Sequence, residues 1–299
     1  MNASAVSGAE NGDGRDARPD ADLHGTVALV SGGGRGVGRL LASRLARSGA
    51  AVGLLARSAG ELLITVGDIE RSGGTAAAAA CDVTDQNAAA AAVAELAVRL
   101  GPASLLINNA GISGPAGQLW DVSAPEWWRA FEINVGGAFV LSQLVLPSMV
   151  AAGTGRIVNI TSYAGVYRWP LMSAYAASKA ALVKLTETLA EETRPYGVFV
   201  FSADPGLLPI GLTDAALQSR AGSQTPEGLV YGWIRDQLQC GRGTEPNHAA
   251  RLVLALASGR CDRLSGRHIT AADDLDALLD RIDRIERDDL HTLRLRKSM

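Results

Sequence analysis

A short apolar run that ends in a glycine-rich turn constrains the fold of this chain more than any other feature. Residues 26–30 are Thr-Val-Ala-Leu-Val, which suits a buried strand, and residues 31–38 are Ser-Gly-Gly-Gly-Arg-Gly-Val-Gly. Apolar side chains at three- and four-residue spacing follow over 40–46 and predict a helix that ends at Gly49. A strand, a glycine turn and a helix in this order direct backbone N–H groups and a helix N-terminus towards a phosphate. The order therefore predicts a dinucleotide site near the start of an α/β fold.

The glycines of this turn have the spacing G-x-x-x-G-x-G, at Gly32, Gly36 and Gly38. This differs from the G-x-G-x-x-G spacing of many dinucleotide-binding proteins. Without Cβ atoms, the backbone can approach a pyrophosphate closely. A glycine turn by itself is also compatible with an ordinary turn, but its position directly after the first predicted strand favours nucleotide binding.

Apolar strands alternate with helical stretches from residue 23 onward. The pattern predicts strands at 27–31, 51–55, 76–80, 104–108, 156–161, 198–203 and 267–270, and helices at roughly 37–48, 59–72, 86–100, 125–152, 176–194 and 246–257. Strands separated by helices are typical of a doubly wound parallel sheet, here of about seven strands. The segment from Ala76 to Ala80 favours a helix by itself; its place in the alternation, and the family resemblance given below, make it a strand.

The chain divides into three parts. Residues 1–22 have almost no bulky apolar side chains, so we expect a disordered tail, although a leader or an added segment fits equally well. Residues 23–271 carry the alternation of strands and helices. Residues 272–299 form a helical extension with an apolar stripe at Leu275, Leu278, Leu279, Ile282 and Ile285. Such a stripe usually packs against its own domain; a partner subunit or a cap over the site are the alternatives.

Composition and charge argue against several classes of function. The net charge is -3 at pH 7, so we expect neither nucleic acid nor a membrane surface as a partner. We expect that no apolar stretch reaches the ~18 residues that a membrane span requires. Cys81, Cys240 and Cys261 form no C-x-x-C motif, which indicates a reducing, cytoplasmic compartment. The four histidines have no metal-ligand spacing, and we expect no metal.

Tyr175 and Lys179 are the strongest candidates for catalysis. Four residues are about one helical turn, so the phenol and the ammonium share one face of a helix. A tyrosine normally loses its proton near pH ~10, and a cation about 5 Å away lowers that pKa by roughly two units. We therefore predict a tyrosine that exchanges a proton with an alcohol or a carbonyl near neutral pH, with Ser162 bonded to the same oxygen. Alone, the pair is also compatible with a solvated helix face.

The chain resembles the short-chain dehydrogenase/reductase family, whose members are single-domain Rossmann enzymes that use NAD or NADP. The resemblance extends from about residue 23 to about residue 270. It rests on motifs in the family's order: S-G-x-x-x-G-x-G (with Ser for the usual Thr) at 31–38, N-N-A-G at 108–111, the catalytic asparagine at Asn134, the catalytic serine at Ser162, Y-x-x-x-K at Tyr175 and Lys179, and the P-G turn at 205–206. It implies a single Rossmann-like domain.

The resemblance also implies a role for each matched residue. Tyr175 is the general acid in reduction and the general base in oxidation, and Lys179 holds the nicotinamide ribose. Ser162 orients the reacting oxygen, and Asn134 positions a water that links Lys179 to solvent. The residues implied in cofactor binding are Ser31, Gly32, Gly34, Gly36, Val37, Gly38, Asp82 and Val83 (adenine), Asn109, Ala110, Gly111, Tyr175, Lys179, Pro205, Gly206 and Leu208. A homo-oligomer, dimer or tetramer, is implied through helices 125–152 and 176–194.

The end of the second predicted strand favours NADP(H) over NAD. An NAD site usually has an acidic residue there that binds the ribose hydroxyls, whereas this chain has Ala56. Arg57 and Ser58 follow, and Arg35 lies inside the glycine turn. Two guanidinium groups that converge on one ribose pair well with a 2′-phosphate. Each arginine alone is also compatible with a solvated surface charge.

The segment after the P-G turn departs from the family pattern. Where the family has a threonine that contacts the cofactor, this chain has Ile210, with Thr213 the nearest substitute. By the same resemblance, residues 207–245 correspond to the variable loop that covers the substrate in such enzymes, and the apolar side chains of this segment favour a bulky hydrophobic ketone or alcohol. Tyr167, Trp169, Leu171 and Met172 are candidates for a second wall of the same pocket, although each also fits ordinary core or lid packing.

We therefore expect an NADP-dependent oxidoreductase of carbonyl and alcohol groups, and specifically a ketoreductase. The same scaffold can also catalyse dehydration, epimerisation or reductive cyclisation. A further alternative is a dinucleotide-binding subunit without catalysis, but such a protein would have lost its tyrosine or its lysine. The sequence identifies neither the substrate nor the direction, although a preference for NADP(H) favours reduction.

Overall fold

The computed structural model describes residues 21–219 and 224–295. Residues 1–20, most of the predicted disordered tail, lie outside this part of the chain. The strands are β1 (Val27–Ser31), β2 (Ala51–Ala56), β3 (Thr75–Ala80), β4 (Leu105–Asn108), β5 (Gly155–Ile160), β6 (Val198–Asp204) and β7 (His268–Thr270). The helices are α1 (Gly36–Arg47), α2 (Ala59–Arg71), α3 (Gln86–Leu100), α4 (Ala124–Phe131), α5 (Gly137–Ala152), α6 (Ser173–Thr193), α7 (Leu212–Gln218), α8 (Pro226–Gln239), α9 (Pro246–Ala257), α10 (Leu275–Asp280) and α11 (Ile282–Arg287).

The strands form one parallel sheet in the order β3-β2-β1-β4-β5-β6-β7. This confirms the predicted doubly wound sheet of seven strands. The strand order reverses between β1 and β4, because the chain crosses from one half of the sheet to the other after β3. In open α/β sheets, ligands bind in the crevice at the carboxyl ends of the strands beside such a reversal.

Helices cover both faces of the sheet, and side chains alternate between the two faces along each strand. Val30 of β1 packs with Leu41 and Leu45 of α1 in one core cluster. Its neighbour Leu29 packs in the opposite cluster, with Leu96 of α3 and side chains of α5. The central strands are buried on both faces, which explains why their sequences are continuous apolar runs.

The alanine-rich strand is formed as predicted. All six residues of β3 pair with β2, from Thr75 opposite Ala51 to Ala80 opposite Ala56. Ala77 and Ala79 are buried on one face of the sheet and Ala76 on the other. Tertiary pairing therefore overrides the helix propensity of alanine.

The predicted helix 125–152 is α4 and α5 joined by a π-helical turn at Glu132–Gly136. By length and composition, the 29-residue run 124–152, which contains an 18-residue window with a mean hydropathy of 1.7, resembles a membrane span, so the expectation that no stretch is long enough is wrong by this criterion. A core helix of a soluble protein meets the same criterion. Leu141, Val145 and Met149 of this run pack into the core.

The segment 207–245 contains two helices that the sequence reading did not predict. α7 begins at Leu212, and α8 begins at Pro226, where the Thr225 side chain accepts a hydrogen bond from the Gly228 N–H. A proline in the first turn and a threonine at the N-cap are a helix start signal that was available in the sequence.

The extension forms two short helices, α10 and α11, rather than one. Leu278, Ile282 and Ile285 of the predicted apolar stripe are buried in the core cluster that contains α9 and β7. After α11 the chain runs along β7, where the His268 N–H donates to the carbonyl oxygen of His291 at 2.8 Å. The extension thus covers the edge strand of the sheet.

Candidate active site

A cavity of about 370 Å³ opens at the carboxyl ends of the central strands. Its walls bring together four groups of predicted residues: Gly32, Arg35, Gly36, Val37 and Gly38 of the glycine turn; Asn109, Ala110 and Gly111; Ser162, Tyr175 and Lys179; and Pro205, Gly206 and Leu208. The motifs that lie far apart in sequence therefore share one site.

The glycine turn has the geometry of a phosphate cradle. Gly32 and Gly36 have φ angles of 65° and 53°, which favour glycine. A Cβ atom on Gly38 would collide with the carbonyl oxygen of Gly32. Within the described part of the chain, α1 has no acidic residue in its first turn, and the Arg35 side chain does not cap it. The first amides of α1 are therefore available to a diphosphate, and the residues fit a dinucleotide.

Ser31 supports this cradle from beneath. Its Oγ atom accepts hydrogen bonds from the N–H groups of Asn109 and Ala110, each at 3.0 Å. The Asn109 side chain donates in return to the carbonyl oxygen of Ser31 at 2.9 Å. Ser31 is buried, and its hydrogen bonds connect the end of β1 to the end of β4.

The catalytic candidates meet where α6 passes the end of β5. Lys179 is 3% exposed, and its Nζ atom donates to the carbonyl oxygen of Ile160 at 2.8 Å. The same Nζ atom lies 5.7 Å from the centroid of the Tyr175 ring. Ser162, two residues after Ile160, accepts a hydrogen bond from the Ala164 N–H at 3.2 Å, and its hydroxyl is close enough to Tyr175 to act on the pKa of the phenol.

Burial has the largest effect on the pKa values of Tyr175 and Lys179. It raises the pKa of Tyr175 to about 12, against the opposing effect of the Ser162 hydrogen bond, and the negative charge of Asp204 raises it further. Burial lowers the pKa of Lys179 to about 8, and Asp204 opposes this shift. Burial therefore raises the pKa of Tyr175 on balance, and the predicted lowering of this pKa by Lys179 stays a prediction.

Asn134 lies on the π-helical turn and is buried. Its amide nitrogen donates to Ser178 Oγ and to the Ile112 carbonyl oxygen, each at 2.9 Å, and its oxygen accepts from the Ile112 N–H at 2.8 Å. A Cβ atom on Gly111 would lie 3.0 Å from Asn134 Oδ1 and 3.6 Å from Lys179 Nζ. Asn134 and Lys179 therefore converge on Gly111, and the role of Asn134 in a water relay stays a prediction.

Six predicted cofactor residues do not line the cavity: Ser31, Gly34, Arg57, Ser58, Asp82 and Val83. Asp82 accepts hydrogen bonds from Thr84 and pairs with Arg129 at 2.7 Å. Val83 packs beneath Gly137. Ser58 caps α2 by accepting a hydrogen bond from the Glu61 N–H at 3.3 Å.

The loop after the P-G turn closes over the glycine turn. A Cβ atom on Gly36 would lie 2.6 Å from the Cα atom of Gly211, so the two backbones are in contact. Thr213, the predicted substitute for the family threonine, donates its hydroxyl to the carbonyl oxygens of Leu208 at 2.5 Å and Ile210 at 3.2 Å. It therefore stabilises the loop. The sequence reading missed Gly211, whose signal was a glycine between the P-G turn and a helix start.

Aromatic side chains form the wall opposite the glycine turn. The Trp169 ring meets the Tyr175 ring edge to face at 6.5 Å and the Trp233 ring of α8 at 5.2 Å. Met172, Val230 and Ile234 pack together behind them. The unpredicted helix α8 thus forms a lid that faces Tyr175 across an apolar space.

The family model for short chain dehydrogenases matches residues 26–221. The chain belongs to this short-chain dehydrogenase family. A short chain dehydrogenase of Pseudocercospora fijiensis (strain CIRAD86) is 34% identical over 273 residues, which cover 88% of this chain and 85% of the relative. The predicted family is confirmed. This short-chain dehydrogenase is therefore an oxidoreductase of alcohol and carbonyl groups that binds a nicotinamide dinucleotide.

Solved structures of this dehydrogenase family have the same fold. NAD+-bound xylitol dehydrogenase is 30% identical with a TM-score of 0.74, and the match covers 83% of this chain and 98% of that one. A variant of the actinorhodin polyketide ketoreductase with NADPH is 28% identical with a TM-score of 0.75, and the match covers 82% of this chain and 95% of that one. Both dinucleotides therefore occur among the structural relatives.

Proposed function

We propose that this short-chain dehydrogenase is a ketoreductase that uses NADPH to reduce a bulky, apolar ketone. One observation carries the proposal: the Tyr175 hydroxyl faces a cavity that has a phosphate cradle on one side and the tryptophans Trp169 and Trp233 on the other. A small sugar would leave these aromatic surfaces in contact with water, whereas a large apolar ketone would cover them.

The residues of the site perform the proton transfer. A bound nicotinamide dinucleotide would supply the hydride for the carbonyl carbon. Tyr175 donates its proton to the carbonyl oxygen, and Ser162 holds that oxygen by a hydrogen bond. Because the pKa of Tyr175 is raised to about 12, the hydroxyl keeps its proton at neutral pH and is in the form that reduction requires.

The preference for NADPH rests on charge at the end of β2. Ala56 leaves no carboxylate there for the ribose hydroxyls, and the exposed Arg57 follows. Arg35 lies in the glycine turn with its Nε atom 4.0 Å from Glu61 Oε1 on α2, which is a long and weak ion pair. The Arg35 guanidinium can therefore exchange this partner for a 2′-phosphate at little cost.

A panel of ketones, monitored through NADPH absorbance, tests the function. Bulky aromatic ketones should be reduced with higher kcat/KM than small hydroxyketones. Trp233→Ala should raise KM for the bulky ketones, whereas Trp128→Ala, an equally drastic change on exposed α4, should not. A higher kcat/KM for the small substrates would contradict the proposed substrate class.

Isotope-labelled NADPH separates the alternatives on the same scaffold. Net reduction leaves the label in the product with stoichiometric consumption of the cofactor. Dehydration or epimerisation would give product without net consumption, and a subunit without catalysis would bind the dinucleotide but give no product.

A further inference from the structure

Asp204 is a buried carboxylate at the active site for which the family resemblance offers no role. It ends β6, is 4% exposed, and lines the same cavity as Tyr175 and Lys179. Its Oδ1 atom accepts a hydrogen bond from the Gly206 N–H at 2.8 Å, which stabilises the P-G turn. Within residues 21–219 and 224–295, no hydrogen-bond donor reaches Oδ2, so half of the carboxylate remains for another partner.

The register of the sheet places this carboxylate on the same face as the catalytic lysine. Asn159 pairs with Ser202, and its side chain donates to Thr186 of α6 at 2.8 Å, so α6 covers this face. Asp204 is two residues beyond Ser202, and side chains two residues apart in a strand point to the same face.

The Lys179 side chain extends from α6 to the carboxyl end of β5, which is the same end of the sheet as Asp204. Its ammonium is bound to the carbonyl oxygen of Ile160, and Ile160 pairs with Ala203, the neighbour of Asp204. Adjacent strands are about 4.8 Å apart. The carboxylate and the ammonium therefore lie at adjacent strand ends, on one face, around one cavity.

We propose that Asp204 is a positioning residue for the reduction: its carboxylate is the counter-charge that keeps the buried Lys179 ammonium charged beside Tyr175. This inference rests on the proposed function, because it concerns the protonation states that reduction requires. An ammonium removed from water is unfavourable unless an opposite charge compensates it. The Ile160 carbonyl supplies a dipole, and Asp204 supplies the charge.

The titration of the neighbouring groups agrees with this role. Asp204 opposes the burial that lowers the pKa of Lys179 to about 8, and it adds to the burial that raises the pKa of Tyr175 to about 12. At neutral pH the lysine is therefore charged and the tyrosine protonated. On β7, burial lowers the pKa of His268 against the charges of Asp204 and Asp273, with His291 adding to the lowering, so His268 is neutral there and does not replace Lys179 as the cation.

The variant Asp204→Asn tests the proposal, because an asparagine keeps the acceptor for the Gly206 N–H and removes only the charge. The matched control is Asp273→Asn, which removes a carboxylate that accepts from the Thr270 N–H at 2.7 Å near the same end of the sheet. The readout is kcat/KM for reduction as a function of pH. In Asp204→Asn the alkaline limb should move down by about one pH unit, and in Asp273→Asn it should stay in place.

Tyrosine ionisation gives a second readout that does not need turnover. The near-ultraviolet absorbance of phenolate, with Tyr175→Phe as the reference, should show Tyr175 ionising at lower pH in Asp204→Asn than in the parent protein. An unmoved alkaline limb and an unmoved phenolate transition, together with a lower melting temperature, would mean that Asp204 only supports the turn, and would overturn the proposal. If the parent protein reduces no ketone, the proposed function fails, and the phenolate transition alone still decides the role of Asp204.

Discussion

Lys179 Nζ lies 5.7 Å from the centroid of the Tyr175 ring, yet the pKa of the tyrosine is raised rather than lowered. The spacing of the two residues on α6 is the one that the sequence predicts. The pKa is raised because burial of the side chain reduces the hydration of a phenolate. Burial is therefore the largest influence on the pKa of Tyr175.

The first prediction concerns Tyr175→Phe. Removal of the hydroxyl removes the general acid and should lower kcat for reduction by about 10²–10⁴-fold. The glycine turn is untouched, so the Kd for the dinucleotide should change little, which fluorescence titration can measure. Tyr167→Phe is the matched control, because Tyr167 is exposed and does not line the cavity. Equal losses in both variants would refute the assignment of Tyr175.

The second prediction concerns pH. Burial lowers the pKa of Lys179 from its ordinary range to about 8, so the ammonium is present below that pH and lost above it. Because we expect the charged ammonium of Lys179 to hold the nicotinamide ribose, kcat/KM for reduction should decline above about pH 8. Oxidation requires the deprotonated tyrosine and should still rise in that range, because the Tyr175 pKa is about 12. A kcat/KM for reduction that stays level through the Lys179 pKa and well beyond it would contradict the Lys179 assignment.

The third prediction tests the choice of cofactor. Arg57→Glu should raise KM for NADPH about tenfold or more, because a charge-assisted hydrogen bond is replaced by repulsion of the 2′-phosphate. KM for NADH should change much less, since that dinucleotide has no phosphate there. Arg47→Glu makes the same charge change at the exposed end of α1 and should leave both values unaltered. Equal losses for NADPH and NADH would exclude the 2′-phosphate contact.

The sequence was sufficient for the sheet, because strands, turns and helices alternate along the chain, and for the shared helix face of Tyr175 and Lys179, because of their four-residue spacing. The catalytic roles of Ser162 and Asn134 were predicted from the family resemblance. β3 shows the limit of propensity, since five alanines become a strand only through pairing with β2. Contacts between segments that are far apart in sequence could not be predicted from the sequence. The contact of Gly211 with Gly36, and the fact that Asp204 and Lys179 line one cavity, depend on how segments far apart in sequence meet after folding.

The last prediction concerns the extension. Ile285 is 2% exposed and belongs to the same core cluster as α9 and β7, so Ile285→Ala should lower the free energy of unfolding by about 2–5 kcal/mol. Leu295→Ala, at a side chain that is 89% exposed, is the control and should change it by less than about 0.5 kcal/mol. Because the extension also bonds to buried Glu187 through the Leu293 N–H at 2.6 Å and Arg294 at 2.7 Å, it should unfold together with the sheet in one transition. Two separate transitions in a denaturant titration, with only the minor one sensitive to Ile285→Ala, would show instead that the extension is an independent unit.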